Sequence, residues 1–203
     1  MKDDIEEEFL SNIIEDKQRV TKRKKTVNCK RKGNRGEKEC KDILNERFKG
    51  IAVFSRTPMS GAYVGGSNRE KKSFLTEAQK EMMTSDIFCN NPNFLFSIEH
   101  KNYSNDKATI WEMFNEKSDL HSWMKQNDTD AKSISKEPML IVKYDNHKRI
   151  VFVPFDYIHR YYLHHAKEKI IQPVFMHNYK ACFWLDDLLQ LPDHFFFEES
   201  KKC

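Results

Sequence analysis

Two acids and a lysine, Asp86, Glu99 and Lys101, stand at the ends of a stretch that reads as a β-hairpin, MTSDIFCNNPNFLFSIEHK from Met83 to Lys101. Ile87, Phe88 and Cys89 form a short apolar run, Asn90-Asn91-Pro92-Asn93 carries turn residues, and Phe94 to Ile98 makes the returning strand. A turn centred on Pro92 and Asn93 sets Asp86 opposite Glu99, at a position where cross-strand neighbours stand about 4.5–5.5 Å apart. Side chains alternate along a strand, so Phe94, Phe96, Ile98 and His100 share one face while Ser97, Glu99 and Lys101 share the other. Two carboxylates that close repel unless protonated or bridged by a cation, and oxygen donors suit Mg²⁺, with Mn²⁺ as a substitute. Such an ion lowers the pKa of a bound water and neutralises charge on a phosphate, while the lysine orients or deprotonates that water. That is the chemistry of phosphodiester hydrolysis. The plain alternative is a strand-end salt bridge, since 33% of the chain is charged and Glu-x-Lys recurs at Glu15, Glu39, Glu70 and Glu199. Only the Glu99 copy ends an apolar strand-like run with an acid at hairpin distance.

These residues need elements to hold them. Lys32-Gly33-Asn34-Arg35-Gly36-Glu37 leads into a helix running to about Phe48, with Cys40, Ile43, Leu44 and Phe48 on one face. At about 100° per residue Glu37 lies near that inward face and Glu39 points away from it. An acid in a first helical turn is also favoured by the dipole alone. The basic residues just before it oppose that dipole, so an anion such as backbone phosphate is expected there. Ile51 to Arg56 reads as a strand, followed by a loop from Thr57 to Asn68 that holds three of the six glycines. After Lys101, Ala108 to about Ala131 predicts one or two helices covering the sheet, with Trp111 and Trp123 in the core. Pro138 to Tyr144 and Arg149 to Pro154 form a second hairpin, Phe155 to Lys169 a helix, Pro173 to Met176 and Tyr179 to Trp184 edge strands, and Asp186 to Leu191 a short helix.

Asp86, Glu99 and Lys101 resemble the D…(D/E)-x-K signature of the PD-(D/E)XK nuclease superfamily, with Ser85 where the name motif has proline. Lys32, Gly33 and Glu37 match the K-G-x-x-x-E pattern of the opening helix in archaeal-type Holliday-junction resolvases and related phage recombination nucleases. In that family a strand ending in Arg and a Ser/Gly loop follow, as Arg56, Ser60 and Gly61 do here, so the order of elements agrees from Lys32 to Lys101. The resemblance implies an α/β restriction-endonuclease-like core, a mixed central β-sheet flanked by helices. It implies that Asp86, Glu99 and Glu37 hold the metal, that Lys101 positions the attacking water, and that Gln126 or Lys125 supports the site from the following helix. It also implies a homodimer acting on branched or junction DNA.

Charge supports a polyanionic partner. The net charge of +4 is blocked: residues 1 to 16 are acidic, and Lys17 to Arg35 carries ten basic residues without an acid. The second block is a nucleic-acid arm, a nuclear-localisation-like run or a solvated tail; Lys30, Arg31, Lys32 and Arg35 are its candidate DNA contacts, with Arg56, Ser60, Arg69, Lys71 and Lys72 further on. Ile5, Phe9, Leu10, Ile13 and Ile14 recur at helical spacing, giving an N-terminal amphipathic helix. The expected organisation is an extension over 1–31, a nuclease core over 32–154, and a continuation of the same domain over 155–203.

Cysteines 29, 40, 89, 182 and 203 show no close pairing and no signal peptide precedes them, so reduced thiols and an intracellular, cytoplasmic setting are expected, that of a host if the protein is viral and with a nucleus not excluded. No apolar run reaches the roughly 20 residues that span a bilayer. His159, His164 and His165 on an aromatic helix read as packing or surface residues rather than metal ligands. No GxxxxGK[ST] loop, GxGxxG fingerprint or HExxH pair is present, which leaves nucleotide cofactors and zinc proteolysis without support. Two rivals remain: a non-catalytic DNA-binding or packaging accessory protein, and a sequence-specific restriction-type endonuclease.

Overall fold

Continuous apolar runs in three strand segments, MLIV, IVFV and ACFW, dictate a sheet covered on both faces. The computed structural model describes residues 29–57, 75–103, 115–165, 170–177 and 179–198. The chain divides into two compact units, Met1–Lys32 and Gly33–Cys203, and the sheet belongs to the second. The proposed N-terminal amphipathic helix, Ser60, Arg69, Lys71, Lys72 and Trp111 lie outside the described residues.

In chain order the elements are α1 (Cys29–Arg47), β1 (Phe54–Arg56), α2 (Glu77–Thr84), β2 (Ile87–Cys89), β3 (Phe96–Tyr103), α3 (Asp119–Lys132), β4 (Glu137–Tyr144), β5 (Arg149–Pro154), α4 (Phe155–His164), β6 (Phe175–His177), β7 (Lys180–Trp184), α5 (Leu185–Leu188) and a 3₁₀ turn (Asp193–Phe195). Among the described residues, seven strands form one sheet in the order β1-β2-β3-β4-β5-β7-β6. Only β3 and β4 run parallel, from Phe96 beside Glu137 to Tyr103 beside Tyr144, and the other neighbours are antiparallel. A parallel pair needs a crossover, and α3 supplies it. This is the mixed, helix-flanked α/β sheet expected of a restriction-endonuclease-like core.

Alternation sorts the side chains. Phe96, Ile98, Met139, Ile141, Val151, Val153, Ala181 and Phe183 meet Cys40, Leu44 and Phe48 of α1 and Ile158 and Tyr161 of α4. Leu140, Val142, Phe152 and Cys182 meet Leu120 and Met124 of α3 on the opposite face, with Trp123 packed against them. Asn146, at φ 61, turns the β4–β5 hairpin, a conformation that asparagine tolerates.

Four elements differ from expectation. Helix α1 starts at Cys29, several residues before Gly36, so its first turn holds no acid and Glu37 lies two turns in. The dipole account of Glu37 is therefore removed. Strand β1 is only three residues long, and Ile51 and Val53 are exposed ahead of it. Strand β3 begins two residues later than predicted and continues to Tyr103, because its parallel pairing with β4 carries Asn102 and Tyr103 along. Helix α2 is additional: Thr76 accepts from the Gln79 N–H while the Gln79 side chain accepts from the Thr76 N–H, a reciprocal capping box.

Candidate active site

The pairing of Ile87 with Ile98 places Asp86 beside Glu99, as the hairpin register requires. Asp86 is 7% and Glu99 4% exposed, far more buried than carboxylates usually are. Backbone hydrogen bonds fix Asp86 from both sides: its N–H donates to the Ile98 carbonyl at 3.0 Å, and its carbonyl accepts from Thr57 N–H at 3.0 Å. Its Oδ2 accepts from the His100 N–H at 2.9 Å. One residue earlier, the hydroxyls of Ser85 and Ser97 hydrogen-bond at 2.8 Å. At the position where the motif has proline, Ser85 thus pins β2's approach to β3.

Lys101 shares the Glu99 face and its ammonium donates to Glu99 Oε1. Burial pushes the Glu99 carboxyl up to about 8; Asp86 adds to this, and Lys101 opposes it without cancelling it. Burial also works to lower Lys101, yet Glu99 and then Asp86 outweigh it and hold the ammonium above its ordinary value. Two buried acids therefore share one lysine, and the balance of charge calls for more positive charge than the described residues place there. Hard carboxylate oxygens of this kind fit a divalent cation of the Mg²⁺ or Mn²⁺ type.

Glu37 is not brought into this pair. Its Oε2 accepts from Arg56 Nε at 2.8 Å and Arg56 Nη2 at 2.6 Å, and Arg56 Nη2 also donates to Asn34 Oδ1 at 3.1 Å. Among the described residues, no group of three His, Cys, Asp or Glu side chains is arranged to hold a metal ion. The physical reason is that β1 pairs with β2 and carries Arg56 opposite Ile87, within reach of α1, where a guanidinium captures the carboxylate two-handed.

The remaining candidates are spread more widely. Arg31 is exposed and Lys32 half-buried in the first turn of α1, which also contains Lys30, and exposed Arg35 lies 3.8 Å from Glu39. Gln126 and Lys125 are exposed on α3. The neighbouring Asn127 does reach the site strand: it is buried, and its Nδ2 donates to the Ser97 carbonyl at 3.2 Å. Asp130 of α3 adds a smaller upward push on Glu99. Asn127 is readable as spacing, because with Ala131 it continues the buried stripe of Leu120 and Met124 at helical intervals. His159 stacks on Phe155 and His165 on Tyr161, in the packing role expected of them. Cys40, Cys89 and Cys182 are free and buried, and burial raises their thiols to about 12, 11 and 12, which makes them poor nucleophiles.

A helix-flanked mixed sheet that presents Asp86 opposite a Glu99-x-Lys101 strand defines a nuclease of the PD-(D/E)XK superfamily. The chain belongs to the family described as phage putative PDDEXK endonuclease, whose model matches residues 28–183. Membership implies a nuclease with DNA as its substrate, and nucleases of this superfamily usually use divalent metals. No curated protein and no solved structure matches the chain. No helix among the described residues is long and apolar enough to cross a membrane.

Proposed function

We propose that the protein is a Mg²⁺-dependent endodeoxyribonuclease, selective for branched or junction DNA, in which Asp86 and Glu99 hold the ion. The observation that carries this reading is the buried Asp86–Glu99 pair with one ammonium beside it, an arrangement an ordinary ion pair does not need. The ion would supply charge neutralisation at the scissile phosphate and acidification of water. The chain's own groups do the rest. The ammonium of Lys101 orients the attacking water and offsets charge developing on the phosphate. The His100 N–H keeps one Asp86 oxygen in place, which leaves the other to face the ion. Arg56, oriented by Glu37, would contact a backbone phosphate, and Glu37 would help hold the ion, directly or through water, if freed from Arg56. Lys30, Arg31, Lys32 and Arg35 add sequence-independent phosphate contacts.

Purified protein assayed on four-way junction, flap and linear duplex DNA, with Mg²⁺ and with EDTA, tests the reading. Junction cleavage that requires Mg²⁺ and disappears in Asp86→Asn, with DNA binding retained, is expected. Full metal-dependent cleavage by Asp86→Asn overturns the site. Preferential cutting of linear duplex at one sequence replaces junction selectivity with the restriction-type alternative. Symmetric cutting of a junction needs two sites, so a homodimer is part of the proposal; a monomer by sedimentation on junction DNA argues against resolvase activity.

A further inference from the structure

We propose that the contact between Gly36 of α1 and His100 of β3 is the joint that positions the metal-holding carboxylates, an inference that rests on reading Asp86 and Glu99 as a metal pair. His100 stands between Glu99 and Lys101 in sequence but points to the opposite face of the sheet, toward α1. It is 4% exposed, and among the described residues neither ring nitrogen has a hydrogen-bond partner. A buried imidazole with both nitrogens unsatisfied is costly, so its hydrogen-bonding chemistry does not explain its presence. Its shape does. Helix α1 approaches so closely that a Cβ on Gly36 would stand 2.7 Å from His100 Cε1 and 2.5 Å from Asn102 Nδ2. Only glycine permits that approach without displacing something.

The ring that fills this space belongs to the residue whose backbone N–H holds Asp86 Oδ2 at 2.9 Å. Its neighbours in sequence are Glu99 and Lys101 themselves. The depth at which the ring seats under α1 therefore sets the position of the β3 backbone where all three site residues depend on it. The next residue of α1, Glu37, holds Arg56 on β1. One step along α1 thus ties the metal pair to the phosphate-facing arginine. His100 is a positioning residue in this scheme and touches neither DNA nor metal with its side chain.

The test is Mn²⁺ binding to the DNA-free protein by calorimetry, with hydrogen exchange of the His100 amide as a second readout. Wild type, Gly36→Ala, His100→Ala, the double variant, His100→Leu and Asp86→Asn are compared. Gly36→Ala and His100→Ala are each expected to weaken Mn²⁺ binding by about tenfold, the scale seen when a group supporting a metal ligand is lost, and to speed exchange of the His100 amide. The double variant is expected to lose less than the product of the two, because removing the ring relieves the methyl's contact with His100 Cε1 and leaves only that with Asn102. His100→Leu, which restores bulk without nitrogens, is expected to recover most of the affinity lost in His100→Ala. Wild-type Mn²⁺ affinity and amide protection in both Gly36→Ala and His100→Ala overturn the joint, as do independent effects in the double variant. If Gly36→Ala does not fold, the comparison of His100→Ala with His100→Leu decides: equal affinities and equal exchange rates in the two overturn the proposal. Loss of Mn²⁺ in Asp86→Asn alongside unchanged His100→Ala removes the joint and keeps the metal pair, whereas unchanged binding in Asp86→Asn removes the metal pair itself.

Discussion

Glu99 is held where water cannot help it carry charge, and that has consequences in opposite directions for stability and activity. Its carboxyl is raised to about 8 in the folded chain, first by burial and then by Asp86. The folded state therefore keeps a proton that the unfolded state releases in the ordinary carboxylate range. The resulting stability is fully present below that range and is lost as pH rises through about 8. Chemical denaturation in EDTA across pH 4 to 9 should show stability declining over that interval, and a flat or rising profile contradicts the assignment. Glu99→Gln removes the charge that burial penalises, so it should raise the Tm of the EDTA-treated protein at pH 8 while abolishing cleavage, the trade expected at a functional site. At Glu37 the expectation concerns coupling. If its ground-state task is to hold Arg56, then Glu37→Gln and Arg56→Ala should weaken DNA binding to similar extents, and the double variant should be little worse than either.

The same scale shows what the amino-acid order could convey. Asp86, Glu99 and Lys101 are related by one hairpin connection and by strand alternation, both local rules, and the structure brings them together. The partner of Glu37 depends on which strand pairs with which, and Arg56 reaches it only because β1 lies against β2. Asn127 has a signal that local pattern offers, a polar residue on the buried helical stripe, though the expectation falls on its neighbours Gln126 and Lys125.

Elements follow from composition where their periodicity is unambiguous. The apolar face of α1, the β4–β5 hairpin and α4 appear where spacing predicts them. The boundaries that moved were set by neighbours: β3 gains Asn102 and Tyr103 from its pairing with β4, and α1 extends back to Cys29 through a run of basic residues whose helix propensity is good. Helix α2 rests on its capping box more than on a long apolar stripe. Thr76→Ala should cost about 1 kcal/mol in urea denaturation, the usual worth of such a cap. A shift well under half that value means the cap is formed but redundant.

At the scale of the molecule, the sheet's centre is closed by groups from far along the chain. Arg47 at the end of α1 donates from Nε to the Leu189 carbonyl at 2.6 Å and from Nη2 to that of Leu191 at 2.8 Å, and Nη1 meets Asp193 Oδ1 at 2.8 Å. Phe195, Phe196 and Phe197 are buried against Phe48, Phe94 and Phe96. None of this was apparent from local pattern, since an aromatic triplet after a short helix has no period to read.

Phe197 also bridges to Phe94, just ahead of the strand that bears Glu99 and Lys101. A ribosome must therefore translate beyond codon 197 before the centre of the enzyme can be sealed. Until then a nascent polypeptide exposes those rings and lacks the backing for the strand that carries Glu99 and Lys101, which ties the folding of the candidate site to residues translated far downstream of it. A product stopped after Leu191 should be captured by chaperones and leave DNA intact, and efficient cleavage by that fragment would show that the aromatic seal is dispensable.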